Sequence, residues 1–380
     1  MEKKIPLSTP TIHGEELQFV QEAFDRNWVA PLGFNCDGFE TETQQYLNRD
    51  GRWPVHALAL CSGTAAIHLA VKLAGVKPGD PVLCSDLTFA ATVNPVTYEG
   101  GVPVFVDSEP DTWNMDPEAL ELAFQRHPGA RVVVMAHLFG TPGKMDELLA
   151  VCQRHGAVLI EDAAEAFAAD YHGRPCGTFG EYGILSFNGN KIITTSGGGM
   201  LLCRDRGDRD KALFWATQAR EKAIWYEHRE IGYNYRMSNV VAGIGRGQLL
   251  HLEEHRGRKE AIYRRYQAGL AELPVTMNPW LPDTRPNFWL SCLTMDPDWG
   301  LDPMEVVRKL GAENVEARPI WKPMHLQPIF RDRDFVKIRE RSVGEDIFSR
   351  GICLPSDIKM TPQEQDRVIE LLKKIIRREA

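Results

Sequence analysis

The chain has no apolar stretch long enough to cross a bilayer, and its first residues, Met1-Glu2-Lys3-Lys4-Ile5-Pro6, lack the apolar core of a secretory leader. These absences argue against a membrane partner and lead us to expect a cytoplasmic protein. The eight cysteines, at 36, 61, 84, 152, 176, 203, 292 and 353, include no Cys-x-x-Cys pair. They read as mostly small buried apolar residues of a reduced protein. Basic charge is also scarce. Lys and Arg number 44 against 52 Asp and Glu, a net charge of −8, which denies nucleic acid the basic face its phosphates require. One or two small phosphate sites remain compatible with that balance. Repeats and low-complexity segments are missing too.

What is present is ordinary globular material. The 380 residues are 43% hydrophobic and 25% charged, enough to bury a large core in two domains or in one with an appendage. Leu17, Val20, Phe24 and Trp28 recur at helical spacing within residues 13–28. Strand-like and helical runs then alternate. Val55–Leu60 leads to a helix over Thr64–Leu73, and Pro81–Cys84 to a helical stretch near Ala90–Tyr98. Val102–Val106 and Val132–Ala136 follow, then a helix over Lys144–Arg154 and a strand at Ala157–Glu161. Tyr182–Phe187 and Met200–Cys203 complete the series. This alternation predicts an α/β fold with a mostly parallel central sheet covered on both faces. From about Ser238 the pattern changes to a long charged helical stretch, Asn239 to Leu270, and a proline-punctuated segment. A strand candidate at Trp289–Met295 and helices near Pro303–Leu310 and Pro362–Arg378 follow. We therefore expect a large domain over 1–250 and a smaller α+β domain over 251–380.

Chemistry concentrates at the predicted strand ends, where open parallel sheets bind ligands. Lys191 lies in Ser186-Phe187-Asn188-Gly189-Asn190-Lys191, followed by Thr194-Thr195-Ser196-Gly197-Gly198-Gly199. Small residues there let the backbone approach a ligand, unlike an open helix face. Asp162 closes another apolar run. A lysine able to form a Schiff base and an aspartate able to hold a pyridinium nitrogen point to pyridoxal phosphate. Gly63 and Thr64 open a helix just after a strand and offer N–H groups and a hydroxyl to a phosphate, with Ser186 a further hydroxyl. Ser62-Gly63-Thr64 is also a plain helix cap. Phe89, after Asp86-Leu87-Thr88, is placed to stack on a pyridine ring or to pack in the core.

The string Ser186–Gly199, with Glu161-Asp162-Ala163-Ala164-Glu165-Ala166 and Ser62-Gly63-Thr64-Ala65-Ala66, resembles the DegT/DnrJ/EryC1/StrS family. Its members are pyridoxal-phosphate-dependent sugar aminotransferases of the aspartate aminotransferase fold (fold type I), and the likeness covers nearly the whole chain. The resemblance implies that Lys191 binds the cofactor covalently, Asp162 holds its ring nitrogen and Phe89 covers the ring. It gives the phosphate to Gly63, Thr64 and Ser186, with Asn234 arriving from a second subunit through Tyr233-Asn234-Tyr235-Arg236-Met237-Ser238. A homodimer with shared active sites follows from it. Asn287-Phe288-Trp289-Leu290 and Arg318-Pro319-Ile320-Trp321-Lys322-Pro323-Met324-His325 resemble the enzymes that aminate C4 of UDP-linked 4-keto-6-deoxy sugars in the N,N'-diacetylbacillosamine pathway. L-Glutamate is then the donor and a nucleotide sugar the acceptor. Trp28, Glu165, Arg236, Lys322 and His325 are the expected substrate contacts. Glu165 is a subgroup mark, because many relatives carry Gln or His there. The rival within the family is a GDP-4-keto-6-deoxymannose aminotransferase of the perosamine type; a rival of another class is a non-catalytic cofactor-binding regulator. Members that dehydrate a sugar replace the lysine, and Lys191 speaks against that chemistry.

Two further patterns carry no function in this reading. His251-Leu252-Glu253-Glu254-His255 matches a zinc-protease motif, but it lies in a charge-dense helix with no third ligand evident, so we read a solvated face and no metal. Gly243-Ile244-Gly245-Arg246-Gly247 lacks the spacing and the preceding strand of a dinucleotide loop.

Overall fold

Five consecutive apolar residues, Val132-Val133-Val134-Met135-Ala136, form strand β4 (Val132–Ala136), and all five are buried. A strand covered on both faces needs such a run. Val132 and Val134 join the core that holds Ala66, Ile67 and Ala70, whereas Val133 and Met135 join the one that holds Leu120, Leu148 and Val151. Alternate side chains thus enter two helical layers, one on each side of the sheet.

The computed structural model describes Lys3 to Arg378; Met1 and Glu2, where the leaderless reading begins, and Glu379 and Ala380 lie outside it. From edge to edge the large sheet runs β1 (His56–Leu60), β9 (Gly199–Cys203), β8 (Tyr182–Ser186), β5 (Val158–Asp162) and β4. It continues through β2 (Pro81–Ser85), β3 (Val102–Val106) and β14 (Phe335–Val336). β9 is antiparallel to both neighbours and every other adjacent pair is parallel. The carboxyl ends of β1, β8, β5, β4 and β2 therefore share one edge, which is where the predicted site residues lie. Helices α3 (Gly63–Leu73), α4 (Asn94–Tyr98) and α7 (Arg206–Ala216) belong to one layer, α5 (Pro117–Arg126) and α6 (Met145–His155) to the other.

α1 (Glu15–Asp25) and α2 (Phe34–Leu47) pack on α8 (Asn239–Leu249). The glycines of α8 make that approach possible: a Cβ on Gly247 would lie 2.5 Å from the Glu16 nitrogen. The Gly243–Gly247 pattern is thus a helix-packing stripe. α9 (Leu252–Gly269), α10 (Pro303–Ala312) and α12 (Pro362–Arg377) pack on a four-stranded antiparallel sheet. Its order is β10 (Val275–Met277), β12 (Ser291–Met295), β15 (Gly351–Leu354) and β13 (Arg318–Pro319), with α11 (Val343–Arg350) leading into β15. A third, small sheet joins β11 (Thr284–Arg285), β6 (Asp170–Tyr171) and β7 (Arg174–Pro175).

Three expectations change. The long helix over Asn239–Leu270 is broken at Leu250-His251, so that α8 turns its glycines to α1 while α9 turns Ile262 and Tyr266 into the small-sheet core. The stretch Ala90–Tyr98 splits into a single 3₁₀ turn and α4, because Pro95 has no N–H for a continuing helix. The strand expected from Trp289 starts at Ser291, since Phe288 takes a left-handed φ of 54° and leaves the extended path.

Candidate active site

The site is assembled by turns that leave the shared sheet edge. After β1, Ser62 caps α3 by accepting the Ala65 N–H at 3.1 Å. The N–H groups of Gly63 and Thr64 then have no acceptor within the helix. Two glycines let the neighbouring chain come close. A Cβ on Gly199 would sit 2.3 Å from the Gly63 nitrogen, and one on Gly63 would meet the Ser186 Cβ at 3.2 Å. The excursion between β8 and β9 is pinned at its mouth by Phe187 N–H to Gly198 O and Thr195 N–H to Phe187 O, both 2.9 Å. Lys191 rides on that loop.

These turns surround a cavity of about 300 Å³. Gly63, Thr64, Phe89, Asp162, Glu165, Ser186 and Lys191 all line it. Lys191 Nζ lies 3.2 Å from Glu165 Oε1 and 4.1 Å from the centre of the Trp289 ring. Glu165 Oε2 accepts the Phe139 N–H at 2.8 Å. Burial pushes the Glu165 carboxyl above the usual range, although Lys191 and the Phe139 N–H oppose it. Asp162 accepts the Thr92 hydroxyl at 2.7 Å and the Ala164 N–H at 3.1 Å. Burial raises this carboxyl too, against those two donors and the more distant Lys191. Phe89 is 58% exposed, so it turns its ring to the cavity and away from the core.

The other expected contacts lie outside this cavity. Asn234 is exposed, with Gln218 Nε2 3.3 Å from its side-chain oxygen. Trp28 is half exposed and donates its indole N–H to Leu32 O at 2.6 Å. Lys322 points to solvent. Arg236 and His325 require correction as substrate contacts. Arg236 is buried, ion-paired with Glu40 and bonded to Ala59 O at 2.7 Å. His325 has Asp86 on Nδ1 at 2.7 Å, Glu345 on Nε2 at 3.1 Å and Phe335 stacked at 3.9 Å, which leaves neither ring nitrogen for a sugar.

Several lining residues were not anticipated as site residues: Thr92, His137, Trp289 and Trp321. His137 receives the Gly143 N–H on Nδ1 at 3.1 Å, so its Nε2–H donates to Glu161 Oε1 at 2.8 Å. The reading of residues 251–255 as a solvated face also changes. His255 is buried and donates Nδ1–H to Ile192 O at 2.7 Å, beside Lys191. Its Nε2 then accepts from His13 Nε2 at 2.7 Å. His13, His251 and Glu254 bring ligand atoms within 4.8 Å of one another, but the His13 and His251 rings stack in parallel at 3.7 Å, and parallel planes that far apart cannot both contain one metal ion.

The residues present fit pyridoxal phosphate. Asp162 is a buried carboxylate with two neutral donors and no ion-pair partner among the described residues, the setting that a cationic ring N–H completes. The α3 N-terminus, narrowed by Gly199, is a phosphate cradle that a Cβ would fill.

The DegT/DnrJ/EryC1/StrS aminotransferase family pattern matches residues 10–373. EpsN of Bacillus subtilis, whose own assignment as a pyridoxal phosphate-dependent aminotransferase is provisional, is 49% identical over 98% of this chain and 96% of its own. GDP-perosamine synthase of Caulobacter vibrioides is 34% identical over 98% of both. The crystal structure of the aminotransferase TlmJ from Streptoalloteichus hindustanus superposes with a TM-score of 0.87 at 27% identity, covering 97% of both chains. With lysine, acid and phosphate cradle on one sheet edge and the family pattern spanning nearly its full length, the chain belongs to the DegT/DnrJ/EryC1/StrS aminotransferases, pyridoxal-phosphate-dependent enzymes of fold type I.

Proposed function

We propose that this enzyme moves the amino group of L-glutamate to C4 of a UDP-linked 4-keto-6-deoxy-N-acetylhexosamine. The observation that carries transamination is that Lys191 lines the same cavity as Asp162 and the α3 N-terminus. When bound, pyridoxal phosphate supplies an aldehyde that takes up the amine and a ring that holds the electron pair released at Cα. Asp162 accepts the ring N–H and keeps it charged. The N–H groups of Gly63 and Thr64 and the Ser186 hydroxyl hold the phosphate, and Phe89 covers a ring face. Lys191 would accept the Cα proton of the donor and return it two atoms along, to the carbon that carried the aldehyde, and in the second half-reaction it would run the same transfer in reverse.

The UDP-sugar reading rests on the segments 287–290 and 318–325, both of which reach the cavity, through Trp289 and Trp321. The 34% identity to a GDP-perosamine synthase favours a second reading, amination of GDP-4-keto-6-deoxymannose. The test uses enzyme already aminated by glutamate. Offered the two keto sugars separately, it should regain its long-wavelength cofactor band at least ~10-fold faster with the UDP sugar, a preference of about 1.4 kcal/mol. The opposite order overturns the UDP assignment and leaves transamination standing. A wild-type enzyme whose bound cofactor does not respond to glutamate overturns both and points to the regulator.

The same reading makes the working unit a homodimer. Ile224, Trp225, Tyr226 and Ile231 are largely exposed just ahead of Asn234, an apolar surface that a second copy would cover while Asn234 reached the partner's phosphate. It also takes residues 1–250 as the cofactor domain and 251–380 as the smaller one, laced together by β14 on β3 and β11 on β6.

A further inference from the structure

The amine of Lys191 has a built resting place. The Glu165 carboxylate stands 3.2 Å from it and the face of the Trp289 indole 4.1 Å from it. Neither neighbour is free to drift. The indole N–H donates to Asn190 O at 2.7 Å, the carbonyl directly before Lys191. The Trp289 backbone N–H donates to Asn287 Oδ1 at 2.9 Å. The amide nitrogen of that same Asn287 donates to Glu165 O at 2.6 Å and Phe167 O at 2.8 Å. Asn287 is fully buried, and one side chain thus fixes the spacing between the two groups that flank the lysine. From behind, buried Lys259 donates to Trp289 O at 3.1 Å and to Ser356 O at 2.6 Å.

A transaminase lysine must leave the cofactor, work as a free amine and come back. While released and carrying the transferred proton it is an ammonium on a side chain only 12% exposed. An indole face attracts an ammonium through its quadrupole, more strongly when both are desolvated. The geometry points to Trp289 as a further catalytic residue, whose indole face seats the released, protonated Lys191 beside Glu165 during proton transfer. This inference rests on the transaminase reading of Lys191. It adds that the seat is aromatic as well as acidic, and that the segment before β12 acts on the reacting amine.

Two variants test it in the full-length protein. Trp289→Leu removes the π face and the N–H; Trp289→Phe keeps an aromatic face while losing the same N–H, and serves if the leucine variant does not fold. The first readout is independent of turnover. In cofactor-free protein reductively methylated with ¹³C formaldehyde, the Lys191 methyl signal, identified by its loss in Lys191→Ala, should lie upfield of the other lysines because of the indole ring current. It should stay upfield in Trp289→Phe and move to the common position in Trp289→Leu. The second readout is the single-turnover rate with glutamate. It should fall about 10-fold in Trp289→Leu and about 3-fold in Trp289→Phe, at unchanged half-saturating glutamate. A wild-type methyl signal at the common position overturns the seat. So does a folded, cofactor-loaded Trp289→Leu, or Trp289→Phe where leucine does not fold, that reacts at the wild-type rate. If wild-type enzyme itself does not react with glutamate, the fault lies with the transaminase reading, and the methyl signal still decides where Lys191 rests.

Discussion

The cavity has two walls of different origin. One is polar and rises from the large sheet: Gly63 and Thr64 after β1, Asp162 at the end of β5, Ser186 at the end of β8, and Lys191 on the loop that follows. The other is aromatic: Phe89, Trp289 and Trp321, with Phe139 behind them. Its members come from the turn after β2, the approach to β12 and the segment after β13. The polar wall stands on strands buried on both faces, where position is set by hydrogen-bonded register. In the aromatic wall Trp289 and Trp321 are set by how the small sheet docks, while Phe89 stands on the large sheet. Cofactor holding and proton transfer centre on the rigid side, and the docked side adds the Trp289 face beside Lys191 and, through Trp321, substrate selection.

The largest effect should come from removing the polar wall's centre. Lys191→Ala should lower turnover at least ~10³-fold, since general-base and nucleophilic roles are lost together, and a glutamate single-turnover assay would measure it. Turnover near the wild-type rate would move the chemistry off this wall.

Glu161 and Asp162 sharpen the comparison, because consecutive residues on β5 face opposite ways. Glu161 is wholly buried and accepts from His137 and from the N–H groups of Gly177, Phe179 and Gly180. Burial alone would raise its carboxyl, but His137 and those N–H groups win and hold it below the ordinary value of 4.5. A depressed folded-state value adds stability that is complete above about that pH and is lost as pH falls through the folded-state value. Asp162 has fewer donors and is raised by burial. Asp162→Asn should therefore cut turnover about 100-fold, by the size of acid–base effects, while stabilising the cofactor-free protein by roughly 1 kcal/mol. Glu161→Gln should do the reverse, costing about 3 kcal/mol of stability and removing this group's share of the stability lost in acid, with turnover per folded molecule nearly unchanged. Thermal melts from pH 3 to 8 beside kinetics would separate the two.

The same contrast explains what could be read before the fold was known. Lys191, Asp162, Ser186 and Gly63 each adjoin an apolar run, and the end of such a run marks the sheet edge. His137 follows a similar run and Thr92 lies in the turn beyond another, but their hydrogen bonds to Glu161 and Asp162 depend on which strands are neighbours. Trp289 and Trp321 sit inside the segments 287–290 and 318–325, where the charged members, Lys322 and His325, are the residues a sequence marks out as ligand contacts. Charge was the misleading signal. Arg236 and His325 answer the buried acids Glu40 and Asp86, and nothing in the local sequence pairs residues 196 or 239 positions apart. The two-residue strands β6, β7, β11, β13 and β14 are too short to carry a period.

Glu165 joins the walls, accepting from Lys191 and from the Phe139 N–H. Glu165→Gln keeps the shape and one acceptor but removes the charge opposite the ammonium. Turnover should drop about 10-fold, the difference between a charged and a neutral hydrogen bond. Unchanged kinetics would make Glu165 a spacer and leave the lysine's seat to Trp289 alone.

The smallest effect belongs to Lys322, and its size reports on where the aromatic wall stops. Trp321 enters the cavity while Lys322, its neighbour, points to solvent. A solvated ammonium outside the cavity contributes little to a bound sugar, because water screens it. Lys322→Ala should change kcat/KM for the nucleotide sugar less than ~3-fold, whereas Trp321→Ala should raise KM by a larger factor. A Lys322→Ala variant with KM raised more than ~10-fold, and with a salt dependence weaker than wild type, would mean that the nucleotide's phosphates extend past Trp321 to this lysine. Selection would then rest on charge at the rim as well as on the aromatic surface inside.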